Sequence, residues 1–207
     1  MGRRRRFDID VALDAAMREF CLKGYEGTSL ADLVSAMGIE RPSLYLAFGS
    51  KEKLFERVLA RYEQKYLTVI WTALSAATAY GVAHSFLCGF IDAITEKTLP
   101  PGCLNTHAAV ACSPDSEPVR MKVLERRSAY EQALDVRFAR SVQEGDLPAG
   151  TDTSKLAMYL VSVSCGLALQ AKAGVSRDML HDIAEIALVP IPVACGDMAE
   201  GRAGNPA

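Results

Sequence analysis

Apolar residues recur along this chain at the spacing of a helix face, beginning near the amino terminus. Ile9, Leu13, Ala16, Met17 and Phe20 stand at i, i+4, i+7, i+8 and i+11, with Asp8 in position to cap and Gly24 just past the end. A second, shorter helix is predicted from Leu30, Leu33, Val34 and Met37, with Thr28 as its cap and Gly38 as its stop. After a turn at Ile39 and Glu40, Arg41 to Phe48 reads as a third helix whose Leu44 and Phe48, one turn apart, face inward. Pro42 is tolerated there because first-turn amides have no intrahelical acceptor to lose. Gly49 and Ser50 open a fourth helix, marked by Leu54, Phe55, Val58, Leu59 and Tyr62.

The same period continues in helices expected at 51–70, 80–97, 103–112, 117–144, 152–173 and 176–189. They are punctuated by Pro100-Pro101-Gly102, Ser113-Pro114 and Leu147-Pro148-Ala149-Gly150. No run alternates as a strand would, so the fold class is all-α. The expected organisation is a three-helix DNA-binding head over 1–50, a helical ligand-sensing and dimerisation body over 51–198, and a loose tail over 199–207.

Charge changes the picture only locally. The net charge of −2 divides into 12 Lys and Arg against 10 Asp and Glu over residues 1–65, and 11 against 15 over the remainder. Nucleic-acid affinity therefore requires a local basic surface, to which the run Arg3, Arg4, Arg5 and Arg6 contributes. The six cysteines, Cys21, Cys88, Cys103, Cys112, Cys165 and Cys195, form no CxxC pair, which suits a reducing cytoplasm. Asp8, Asp10 and Asp14 break any apolar run that would make the start a signal peptide. Leu156 to Ala171 is almost uncharged, but a spanning helix needs roughly 20 apolar residues. With Ser162, Ser164 and Gln170 inside it, this stretch reads as a buried interface helix, and no membrane partner is expected.

Three short helices with a glycine in the second turn are the ingredients of a helix-turn-helix, whose third element lies in the major groove. The residues that fill them, Gly24-Tyr25-Glu26-Gly27-Thr28-Ser29-Leu30, Met37-Gly38-Ile39, Ser43-Leu44-Tyr45, Phe48 and Ser50-Lys51-Glu52, closely resemble the head of the tetracycline-repressor (TetR) family. The likeness runs from about Phe7 to Tyr62. The resemblance implies a dimeric transcriptional repressor of double-stranded operator DNA. It further implies that Thr28, Tyr45 and Lys51 contact phosphates, that Arg41, Pro42, Ser43 and Leu46 lie nearest the base edges, and that Arg3 to Arg6 reach along a groove. Two residues depart from the family pattern. Glu40 replaces the usual Ser or Thr before the third helix, and Leu46-Ala47 stand where His or another aromatic is common. Base reading is therefore expected to lean on Arg41 and on apolar contact with thymine methyls.

The body carries the expected effector site. Trp71, Phe86, Phe90, Ile94, Tyr130, Leu134 and Met158 come from separate helices and can line a cavity for a small apolar or electrophilic effector, or can be plain core. The penultimate helix is apolar nearly all round, with Leu156, Leu160, Val163 and Leu167 on one stripe and Met158, Val161, Cys165 and Leu169 on another. A two-fold four-helix seam would bury both, built from Tyr159, Val163, Gly166, Leu167 and Gln170 with Leu180, Ile183, Ala184 and Ala187 of the last helix.

Cys103 and His107 are the most chemical pair. A helix start and an imidazole one turn along would both favour thiolate, and a Gly-Cys-Leu start resembles a family subgroup in which a cysteine senses electrophiles or oxidants. A small buried cysteine beside a capping histidine is the alternative. Metal binding by Cys103, His107 and Cys112 is disfavoured, because nine residues at 100° each put Cys112 opposite Cys103. No cofactor or metal is expected. A thiol enzyme using Cys103 with His107 as base would leave the head unexplained, and a ligand-blind DNA-binding regulator is the other alternative.

Overall fold

The computed structural model describes residues 7–110 and 113–191, so Arg3 to Arg6, Cys112, Cys195 and the tail lie outside the described residues. Every regular element among the described residues is helical. The order is α1 (Ile9–Gly27), α2 (Leu30–Met37), α3 (Arg41–Phe48), α4 (Lys51–Tyr66), α5 (Thr68–Ala73), α6 (Ala79–Ile94), α7 (Leu104–Val110), a 3-10 turn (Pro114–Ser116), α8 (Glu117–Gln143), α9 (Thr153–Lys172) and α10 (Arg177–Leu188).

The head assembles from the periodic residues. Leu13, Met17 and Phe20 of α1, Leu33 and Met37 of α2, and Leu44 and Phe48 of α3 are all buried. Asp8 caps α1 by accepting from the Asp10 and Val11 amides, and Gly38 closes α2 in the left-handed region that glycine adopts without strain. The cap of α2 is Ser29, not the expected Thr28. The Ser29 hydroxyl accepts from the Asp32 amide while the Asp32 carboxylate accepts from the Ser29 amide, a reciprocal capping box.

Helix α4 serves both halves of the chain. Phe55 meets Phe20 of α1 edge-on at 4.9 Å, while Tyr62 is buried against the body. Arg61 holds the Asp14 carboxylate of α1 with two nitrogens at 2.6 and 2.9 Å, and Lys65 adds a third contact at 2.8 Å. These donors, Arg61 first, hold the Asp14 carboxyl down at about 2. A depressed carboxyl stabilises the fold above its unfolded value and stops doing so as pH falls through its folded value. Asp14 is partly exposed, so Asp14→Asn is expected to cost about 1 kcal/mol at pH 7. That difference should shrink between roughly pH 4 and pH 2, as denaturant titrations at several pH values would read.

The fourth predicted helix, 51–70, is instead two. The chain turns at Leu67, whose φ of −105° and ψ of 8° leave the helical region, although neither Gly nor Pro marks the break. The β-branched Thr68, Val69 and Ile70 weaken helix propensity just there, and the turn lets Leu67 and Ile70 both enter the core. Helix α9 is long and apolar enough to cross a membrane by length and composition alone. In this fold Leu160, Val161, Leu167 and Ala168 of α9 are buried within the chain, which packs α9 on α8 and α6.

Candidate nucleic-acid interface and effector cavity

Pinned by Leu44 and Phe48, α3 turns Arg41, Pro42, Tyr45 and Leu46 to solvent, with Ser43 half-buried and Leu46 69 % exposed. Glu40 caps α3 without a side-chain hydrogen bond. Lys51 is not freely solvated: its Nζ sits 4.4 Å over the Tyr25 ring. Burial lowers its pKa, while Glu26 pushes it back up. Arg57, absent from the sequence reading, lies 4.8 Å over the Phe48 ring and donates to the Ala47 carbonyl, beside the end of α3.

Thr28 requires a correction. It is fully buried, and its hydroxyl donates to the Gly24 carbonyl at 2.6 Å, the acceptor left over where Gly24 breaks α1. The start of α2 that it was expected to lend to a phosphate is filled by the chain's own Asp32 carboxylate. Thr28→Val should therefore cost about 1–2 kcal/mol of stability and leave the salt dependence of DNA binding unchanged. Lys51→Ala should do the reverse, lowering the salt slope by about 1 at nearly unchanged stability, read from affinities over a salt series.

In the body, a cavity of about 160 Å³ lies between α4–α5, α6, α7, α8 and α9. Of the residues expected to line it, Phe86, Phe90, Cys103 and Tyr130 do so. Ile94 and Leu134 are packed core, and Met158 is half exposed on the outer side of α9. Trp71 is half exposed and packs edge-on against the Tyr130 ring from outside the cavity. Periodicity marks apolar faces but not which of two faces looks inward. The structure adds Leu67, Ile70, Asn105, Thr106, Leu124, Arg127, Val161, Ser164, Cys165 and Leu169 to the lining.

Cys103 and His107 do not act together. The Cys103 thiol is 2 % exposed, and burial pushes its pKa up, against the opposing pull of the Thr106 and Asn105 amides and the Thr106 and Tyr62 hydroxyls. Of the two readings, the favoured thiolate gives way to the small buried cysteine. His107 turns the other way, onto Gly102, whose φ of 109° suits only glycine and where a Cβ would stand 2.5 Å from His107 Cε1. Burial and the neighbouring Lys172 lower the imidazole pKa.

Two links tie body to head beside this pair. Lys172 Nζ at the end of α9 donates to the Cys21 and Leu22 carbonyls of α1 at 2.7 and 3.1 Å, and Glu26 accepts from the Ser113 amide.

The outer faces of α9 and α10 are unevenly apolar. Gly166 and Gln170 are exposed, Val163 and Tyr159 are partly covered, and Tyr159 donates to the Ala187 carbonyl at 2.7 Å within the chain. Leu167, Leu180 and Ala184 are buried within the chain. Their expected place in a seam between copies is therefore corrected. Ile183 stays outward, joined by Met179, Ile186 and Val189 along and just past α10 and by Met158 and Leu169 of α9.

A head that presents an exposed third helix, set on a helical body around an apolar cavity, defines a helix-turn-helix transcriptional regulator. Residues 12–58 match the family described as bacterial regulatory proteins, tetR family, and residues 84–186 match the tetracyclin repressor-like C-terminal domain. The chain is 33 % identical to the HTH-type transcriptional repressor ComR of Escherichia coli K12 over 88 % of each chain. It is 31 % identical to the uncharacterised HTH-type transcriptional regulator YezE of Bacillus subtilis 168, over 91 % of this chain and 98 % of that one. Among solved structures, a cysteine mutant of the TetR family transcriptional regulator CifR, complexed with 26-bp double-strand operator DNA, is 40 % identical. It superposes with a TM-score of 0.87 over 92 % of this chain and 100 % of that one. The chain belongs to the tetR family of bacterial regulatory proteins.

Proposed function

We propose that this chain is a cytoplasmic, homodimeric repressor that holds double-stranded operator DNA through α3 and releases it when a small effector occupies the body cavity. The relatives named as repressors and the operator complex of CifR support the DNA half of this reading. The observation that carries the effector half is the position of α4. Leu67, at its end, and Ile70 line the cavity, Tyr62 is buried with its hydroxyl facing the Cys103 thiol, and Glu63 accepts from Asn105 at 3.1 Å. The other end of α4 packs on α1 through Phe55. An occupant that fits only one position of Leu67 and Ile70 shifts α4 and with it the head, so its preference for that position becomes lost DNA affinity.

The cavity is apolar, with Asn105, Thr106 and Ser164 as polar handles and Arg127 also in its wall. Its volume suits a compound about the size of a substituted benzene. Because Cys103 and Cys165 both line it, an electrophile of that size would be held against a thiol before reacting. Buried Cys103 would then react through occupancy, not through exposure.

The test is operator affinity with and without neutral aromatic compounds of that size, for the parent and for Val161→Phe, which fills the cavity from α9. Occupancy should weaken operator binding in the parent by roughly 5- to 150-fold, the usual range of such couplings, and leave Val161→Phe bound and unresponsive. Loss that Cys103→Ser abolishes marks the covalent route. A parent indifferent to every compound that demonstrably enters the cavity would reject release by occupancy and leave a ligand-blind regulator.

A further inference from the structure

The seam between α6 and α10 carries chemistry-bearing side chains that neither the head nor the cavity uses. His84, Cys88 and Asp92 follow one another at one-turn intervals on α6, and Arg177, His181 and Glu185 do so on α10. The two rows pair off in opposite directions. At one end Asp92 accepts from Arg177 at 2.6 Å and lies 3.0 Å from His181 Nε2. At the other end His84 Nε2 lies 3.4 Å from Glu185 Oε1 and 3.7 Å from Cys88 Sγ. All three donor atoms fall within 4.8 Å of one another.

Around a tetrahedral zinc, with bonds of about 2.1 Å to nitrogen or oxygen and about 2.3 Å to sulfur, neighbouring ligand atoms stand roughly 3.3–3.7 Å apart. The two separations from His84 match those edges. We propose that His84, Cys88 and Glu185 form a three-ligand site for a divalent transition metal of the zinc type, bridging α6 and α10 and leaving a fourth position open to water. A thiolate and an imidazole suit zinc, cobalt and their neighbours and do not suit magnesium or calcium. The side chains of His84 and Glu185 are 45 % and 57 % exposed, so a hydrated ion can reach them. The Tyr80 ring lies beside the imidazole, centroid to centroid 6.2 Å and tilted by 28°. On binding, the Cys88 thiol gives up its proton to solvent and its sulfur becomes a metal ligand.

The position is informative. Phe86 and Phe90, on the other side of α6, line the cavity, and Met179, Ile183 and Ile186 occupy a different flank of α10 from Glu185. A metal here clamps the helix behind the cavity to the helix with the outward apolar face, and it stays clear of both surfaces. With three protein ligands the site is of the exchangeable kind, not the closed four-ligand structural kind.

The experiment adds cobalt(II) to the reduced full-length protein and follows its visible and near-ultraviolet spectrum, with zinc(II) as competitor. Expected is one equivalent per chain, with tetrahedral bands and a sulfur-to-cobalt charge-transfer band that zinc removes. Cys88→Ser should abolish the charge-transfer band and Cys165→Ser should keep it. His84→Ala and Glu185→Gln should weaken binding by at least the roughly tenfold that loss of a mere supporting partner costs. Zinc should raise the melting temperature of the parent and not of Cys88→Ser, with metal-free melting of the variants serving as the folding control. A charge-transfer band that survives in Cys88→Ser, or a parent with no tetrahedral cobalt spectrum and no zinc-dependent melting shift at micromolar metal, would overturn the site.

Discussion

Replacing Arg137 by methionine is expected to destabilise the body by about 3 kcal/mol or more, a larger loss than any substitution on the DNA face should cause. Arg137 sits on α8 with its side chain turned inward, and the residue is 8 % exposed. Its guanidinium donates to the Leu74, Ala76 and Ala77 carbonyls at 3.1, 2.7 and 3.1 Å and to the Ser141 hydroxyl at 2.5 Å. Those carbonyls belong to the turn between α5 and α6, where the chain leaves one helix before entering the next. Methionine fills a similar volume but removes the donor from the buried Ser141 hydroxyl and from three partly buried carbonyls, and a stranded buried polar group costs on the order of 1–3 kcal/mol. Thermal or urea unfolding would read the effect, and a loss under about 1 kcal/mol would mean that water replaces the guanidinium.

Gly166→Arg is expected to abolish the dimer with little change in the stability of the folded chain. Within one chain a Cβ at Gly166 would meet nothing within 4 Å, so any penalty must come from a second copy seated on α9. Met158 of α9 and Ile183 and Ile186 of α10 stand outward and are not fully covered by their own chain. In a two-fold seam the inserted guanidinium would meet its own copy or be buried without an acid. With one head left to bind, operator affinity should fall by roughly a hundredfold or more. Sedimentation and operator titration together test this. A variant that stays dimeric would move the seam away from the middle of α9.

The head was legible because its folding logic is local. Leu13, Met17 and Phe20, then Leu33 and Met37, then Leu44 and Phe48 lie at helical spacing between Asp8, Gly38 and Gly49, and their partners lie close by in the chain, within α1 to α4. What failed there failed by one residue: Ser29 caps α2, and Thr28 goes inside to serve the carbonyl that Gly24 frees. The body was legible only in outline. A helix such as α9 is apolar on two stripes, and the sequence does not say that Leu167 turns to its own core while Met158 turns out.

Cys103 shows the same limit in its chemistry. Helix-start amides do pull its thiol pKa down, as the sequence suggested, but burial outweighs them, and burial is set by the packed body and not by the residues next to Cys103 in the chain. Arg137 gave no signal at all, because the carbonyls it serves are some 60 residues away.

The most direct test of the account is to select DNA sequences that the purified protein retains from a random duplex pool, and then to measure affinity for the winners with parent and Arg41→Ala protein. The account predicts a near-palindromic site with half-sites about one helical turn apart, bound by a dimer, with a preference that Arg41→Ala relaxes more than it weakens binding overall. A pool with no enriched sequence, or an enriched sequence that Arg41→Ala and the parent read with the same preference, would contradict the placing of base recognition on α3.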